Sequence, residues 1–186
     1  MHQIIRVLVF ANDKEEALSN AGEVLDNLCE NNRVFDYYSL FTDEDSTEVS
    51  GKGRWGDLPE AVLADSKEGK KLIEDGINYT KKEFIDNLKK IKRMIKKFSM
   101  EDLFNERSNK STKNDKFDLS MFKHWLYLAG MYQGTAIWLY DQDGDGIKDA
   151  GYLKDVLDKW ECNYDKNEKN PDIDKDVWVV PADVHC

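Results

Sequence analysis

The chain has 186 residues, with 27 Lys+Arg against 37 Asp+Glu, a formal net charge of −10, 40% apolar residues and three prolines. A chain this long buries roughly 70% of its unfolded surface without disulfide or metal staples, and its apolar content excludes a disordered polymer. The acid excess argues against a protein that coats nucleic acid, and no apolar run approaches the roughly 18–20 residues needed to span a bilayer.

Ile4 to Phe10 is short, apolar and β-branched, the pattern of a buried strand. Asn12 then caps a helix, with Glu15 reaching back as a capping box. Ala17, Leu18, Ala21, Val24, Leu25 and Leu28 recur at helical spacing, and Asn31-Asn32 ends the element. Arg33 to Phe41 reads as a second strand, interrupted by Asp36 and Ser39 and so suited to an edge. Thr42 to Gly56 reads as an acidic, glycine-rich loop. Asp57-Leu58-Pro59 opens a helical stretch, broken near Asp65-Ser66 and Gly76 and resuming from Thr80 to Phe98. There Phe84, Leu88, Ile91, Ile95 and Phe98 form a narrow apolar seam among lysines. Ser99 and Asp102 start a short helix, and Asn105 to Lys116 is a polar loop. Asp118 to Tyr132 is helical, with Met121, Phe122, Trp125, Leu128, Ala129 and Tyr132 on one face. Thr135 to Tyr140 is a third strand, and Tyr152 to Trp160 a helix with Leu153, Val156, Leu157 and Trp160 inward. Cys162 to Lys175 is a polar loop, and Asp176 to Val184 a last strand that contains Pro181.

Strand-helix-strand, a helical stretch, then strand-helix-strand predicts an α+β fold: a ferredoxin-like βαβ sandwich. Residues 1–42 and 135–186 supply its split halves within a single domain. Residues 43–134 form a mostly helical insertion that covers the second face of an antiparallel four-stranded sheet. The first and third strands are expected at the centre, and the fourth, with Pro181, at an edge. A doubly wound sheet, with the inserted helices crossing between strands, is the competing topology. Charge follows the same division: residues 1–79 carry −9, residues 80–124 carry +6 and residues 125–186 carry −7.

Three features bear on function. The run Asp141-Gln142-Asp143-Gly144-Asp145-Gly146-Ile147-Lys148-Asp149 resembles calcium loops of the EF-hand type. The resemblance implies Asp141, Asp143, Asp145 and Asp149 as calcium ligands, although Tyr152 stands where the bidentate carboxylate belongs. The competing reading is a strand-to-helix turn with Asp149 as the helix cap. The basic helix offers Lys89, Lys92, Arg93 and Lys96 to an acidic partner, and Arg54 with Trp55 offers a second edge. Tyr37, Trp138 and Tyr140 are read as packed in the core and not as base-stacking rings. His2, His124 and His185 show no metal spacing; if the first and last strands pair, His2 and His185 are placed near opposite ends of neighbouring strands, which gives no site. Cys29, Cys162 and Cys186 form no disulfide framework, Cys29 being read as a buried thiol, and the opening residues lack a signal-peptide pattern. The expectation is a cytoplasmic, non-catalytic module that binds a protein partner or its own copy. The alternatives are a calcium-binding module and a ligand-binding or enzymatic domain with its pocket between sheet and insertion.

Overall fold

In a computed structural model, residues 1–107, 112–131, 136–161 and 174–186 are described. Tyr132, Thr135, Cys162, the side chain of Trp160 and most of the expected 162–175 loop lie outside the described residues. The strands are β1 (His2–Ala11), β2 (Tyr37–Leu40), β3 (Val62–Leu63), β4 (Leu139–Tyr140) and β5 (Asp176–His185). The helices are α1 (Lys14–Asp26), α2 (Lys52–Trp55), α3 (Lys67–Lys97), α4 (Met100–Asn105), α5 (Lys113–Met131) and α6 (Ala150–Glu161). The architecture is α+β, with a mixed sheet and helices inserted between its strands.

The sheet order is β2-β5-β1-β4, with β3 also on β5. This corrects the expected ferredoxin-like order and its all-antiparallel sheet. β1 runs parallel to β4, and β5, not the third expected strand, shares the centre with β1. The reason is the length of the pairing. β5 matches β1 from His2↔His185 to Ala11↔Asp176, whereas only Leu139 and Tyr140 of the third segment pair with β1 as strand.

Pro181 sits opposite Arg6 in this central strand. The Arg6 N–H bonds to the Trp138 carbonyl, away from β5. Arg6 and Pro181 therefore form a pair without mutual hydrogen bonds, and the missing proline N–H faces the other neighbour. There β3 pairs only with Val179 and Trp178, and β2 only with residues 182–185. Proline occupies the gap between two short strands, so no ladder bond is lost.

The faces also differ from the expectation. α1 and the π-helical turn that continues it (Asn27–Asn31) cover one face, burying Ala17, Ala21, Leu25 and Leu28 against Ile5, Val7, Val180 and Val184. The first half of α3 and α6 both cover the other, where Leu72 and Val156 meet Leu8, Leu139 and Val179. Helices on both faces are the layering of the competing doubly wound topology, broken here by antiparallel β5.

Local chemistry sets the element bounds. Asp13, not Asn12, caps α1, its Oδ1 accepting the Glu16 N–H at 2.9 Å. No helix forms at Asp57–Pro59. Val62-Leu63 instead pairs with β5, and the short helix lies earlier, at Lys52–Trp55. Ser66 caps α3 through the Gly69 N–H. Gly76 does not break α3. A side chain there would lie 3.1 Å from Leu139 Cβ and 3.2 Å from the Trp138 carbonyl, so this glycine lets the helix lie close on the strand segment. One turn on, buried Thr80 donates to the Gly76 carbonyl and accepts the Trp138 N–H, each at 3.0 Å. α5 begins earlier than expected because Thr112 and Asp115 cap it reciprocally.

Candidate functional site

α3 has 31 residues and is about 46 Å long. Past Thr80 it pairs with α5 instead of the sheet. Ile91, Met94, Leu103, Leu119 and Trp125 make a separate core there, with Phe98, Met121, Phe122 and Ala129 around it. The insertion is thus partly a cover for the sheet and partly a helical arm.

The arm divides the seam read from the sequence. Ile91 and Met94 are buried against α5, whereas Leu88 is 43% exposed and Ile95 46%. With Ile85 and Lys92, these two form a second line, 85-88-92-95, at the four-and-three spacing of a coiled-coil seam. α5 covers one line and leaves the other to solvent. The uncovered line is flanked on one side by Lys82, Lys89 and Lys96, each seven residues apart. Two hollows of about 390 and 410 Å³ meet at Ile95, the second running over Met100, Phe104 and Leu126. Phe104 is 81% exposed. A lone exposed ring needs no explanation, but a connected apolar strip of this extent marks an interaction surface.

The basic residues separate into two groups. Arg93 pairs with Asp118 at 2.9 Å, Lys97 with buried Asp115, and Lys90 stands over the Trp125 ring at 5.7 Å. These hold α5 in place. Lys89 pairs within its own helix, with Asp86 at 2.9 Å. Among the described residues, Lys92 and Lys96 have no acidic partner. Of the expected partner-binding residues, Lys89 and Lys96 border the exposed seam, Lys92 lies within it and Arg93 faces α5.

Arg54 and Trp55 lie elsewhere, on α2 between β2 and β3. The Arg54 guanidinium stands 5.7 Å from the Trp55 ring centre, and Trp55 is 40% exposed. Lys52, beside them, bridges Asp43 at 2.6 Å and Glu60 at 3.3 Å. The structure does not bring this edge to Lys89, Lys92 and Lys96, the first of which lies about 33 Å along α3 from Lys67.

The Asp141 loop joins β4 to α6. Asp141 is buried, and its Oδ1 accepts the N–H of Asp143 at 3.1 Å and of Asp145 at 2.8 Å. Gly144 takes φ +81°, which favours glycine. Asp149 caps α6, accepting the Tyr152 N–H at 2.9 Å. Asp141 thus closes the turn and Asp149 starts the helix, the roles of the turn reading. Among the described residues, no group of three or more His, Cys, Asp and Glu is arranged to hold a metal ion. Burial pushes the Asp141 carboxyl up to about 6, and the nearby Asp145 and Asp143 charges add to it; the two N–H bonds pull the other way.

The sequence reading missed the cluster where β1 meets β5. His2 and His185 are directly opposite in register and their rings lie 5.1 Å apart. His2 Nδ1 is 3.0 Å from fully buried Asp183, and His185 Nδ1 is 2.8 Å from Asp36. Tyr37 stacks on His185 with centres 4.9 Å apart. This corrects their expected placement near opposite ends of neighbouring strands: the antiparallel register puts both at the same end. The aromatic set also disperses: Tyr37 stays with His185, Trp138 packs on Tyr79 at 5.0 Å, and buried Tyr140 meets Phe35 on the α1 face. Half-buried Cys29 packs against the α1-side core, and burial pushes its thiol up to about 11, with Asp26, Glu30 and Asp36 adding to the shift.

No helix among the described residues is long and apolar enough to cross a membrane. No curated protein and no solved structure matches the chain. One family model does match, over residues 1–186, so the chain belongs to the family described as Domain of unknown function (DUF7995).

Proposed function

We propose that this chain is a non-catalytic protein-interaction module, and that its helical arm receives an acidic amphipathic helix from a partner protein. The observation that carries this is the uncovered seam of Leu88, Lys92 and Ile95, continued over Met100 and Phe104 and bordered by lysines. A helix laid in this groove would complete a three-helix packing and bury the strip. Charge selects the occupant. A second copy would set the lysine border of 82, 89 and 96 near its own equivalent, with Lys92 inside the seam, and like charges across a helical interface repel. A partner with Glu or Asp beside its apolar stripe meets that border favourably.

The test uses three labelled helical peptides with one apolar stripe and acidic, neutral or basic flanks, titrated into the full chain by fluorescence anisotropy. The acidic peptide should bind tightest and weaken with salt. Leu88→Glu with Ile95→Glu should abolish binding, and these side chains are exposed enough for the fold to persist by circular dichroism. Equal binding of the basic peptide would sink the charge argument. A dimer persisting on dilution, seen by light scattering, would give the groove to a second copy.

A further inference from the structure

On the second face of the sheet, α3 and α6 leave a wedge between them above β3 and the start of β5. It is a groove of about 720 Å³, within the range of small-molecule sites. Its walls are Leu63, Ile73, Ile77, Leu153, Leu157 and Val177, with two alanines. Four of these, Ile73, Ile77, Leu153 and Val177, fringe the core cluster of this face and remain only half buried. The core is therefore not closed here. Among the described residues, no hydroxyl, amide or aromatic side chain lines the groove, so the walls described offer an occupant neither a side-chain hydrogen bond nor a ring to stack on. A hydrocarbon chain fits such walls.

The charges at the mouth define the other end of such a ligand. Lys175 is engaged by Glu16 at 2.8 Å, and the α3 charges on the lining, Lys70 and Glu74, are one of each sign. Asp65 and Asp176 remain, both exposed. Leu63 pairs with Trp178, and the Ala64 N–H bonds to the Val177 carbonyl at 2.8 Å. That register brings Asp65 and Asp176 to the same end of the groove.

We infer that the wedge between α3 and α6 binds an aliphatic amine, its hydrocarbon chain between Ile77 and Leu153 and its ammonium group at Asp65 and Asp176. The site lies on a different part of α3 from the arm, so it stands or falls independently of the partner groove.

Octylamine, octanol and octanoate share one chain and differ in head charge. Calorimetric titration of each into the full chain at neutral pH should show one saturable site, with octylamine binding about tenfold tighter than octanoate. Asp65→Asn with Asp176→Asn should remove that preference and leave octanol unchanged. Ile77→Trp should fill the groove and abolish binding of all three. If that variant fails to fold, nuclear Overhauser contacts from octylamine to the methyls of Ile77, Leu153 and Leu157 replace it. Absence of saturable binding, tighter binding of octanoate, or contacts to other methyls would overturn the inference.

Discussion

At the residue scale, the environment of Asp141 opposes its charge. Its oxygen is required by the two N–H groups of the turn, and its negative charge is not. Its carboxyl is raised from 3.8 to about 6 in the folded chain. Between those values the folded chain keeps a proton that the unfolded chain has released, so this group's contribution to stability falls as pH rises through that window and stays lost above it. Asn at 141 keeps the acceptor and removes the charge. Asp141→Asn should raise stability at pH 7.5 by something on the order of 2 kcal/mol and flatten the decline between pH 4 and 6. Thermal melts of both proteins across pH 4–8 check this, and an unchanged slope would refute it. The turn itself was legible in the sequence from its glycines and from Asp149. The burial of Asp141 was not, because it depends on how β4 is placed.

At the element scale, α3 shows why a helical stripe does not by itself say what covers it. Its apolar positions span more arc than one neighbour can occupy. The first half meets the sheet, and the second meets α5 along 87-91-94 and solvent along 85-88-92-95. Gly76 read as a break because glycine disfavours helix interiors. It is retained because the helix approaches Leu139 and the Trp138 carbonyl there. An added methyl would push α3 off β4 and strain the Thr80 bridge to Trp138. Gly76→Ala should therefore destabilise by about 1–3 kcal/mol, although alanine is the better helix former. Equilibrium urea unfolding measures the difference, and a stabilised variant would show that the contact yields.

At the scale of the whole molecule, two strands at opposite ends of the sequence share the centre of one sheet. Non-local pairing of this kind delays the central ladder until both ends meet. Asp183 ties the arrangement together: buried, it accepts from Gly51 N–H at 3.1 Å and contacts His2 Nδ1 at 3.0 Å. Asp183→Ala would leave the buried Gly51 N–H unpaired, at a cost of about 1–3 kcal/mol and a melting temperature lower by about 2–10 °C. Asp183→Asn keeps an acceptor and should recover part of that loss. A melting temperature unchanged by Asp183→Ala would show that water serves Gly51 instead.

The sequence by itself determined the local elements: the apolar strand at Ile4–Phe10, the α1 stripe, the last strand, the basic middle segment and the acidic turn after Tyr140. Spacing, capping residues and β-branching act over a few positions and can be read there. Only the tertiary structure decided which strand became central, which line of α3 stayed uncovered and which carboxylates came together at the groove. Those outcomes depend on pairings between distant segments. The case is clearest at Pro181, read as an edge residue because proline breaks a ladder. It lies at the centre because its missing N–H faces the gap between β2 and β3, which no local pattern describes.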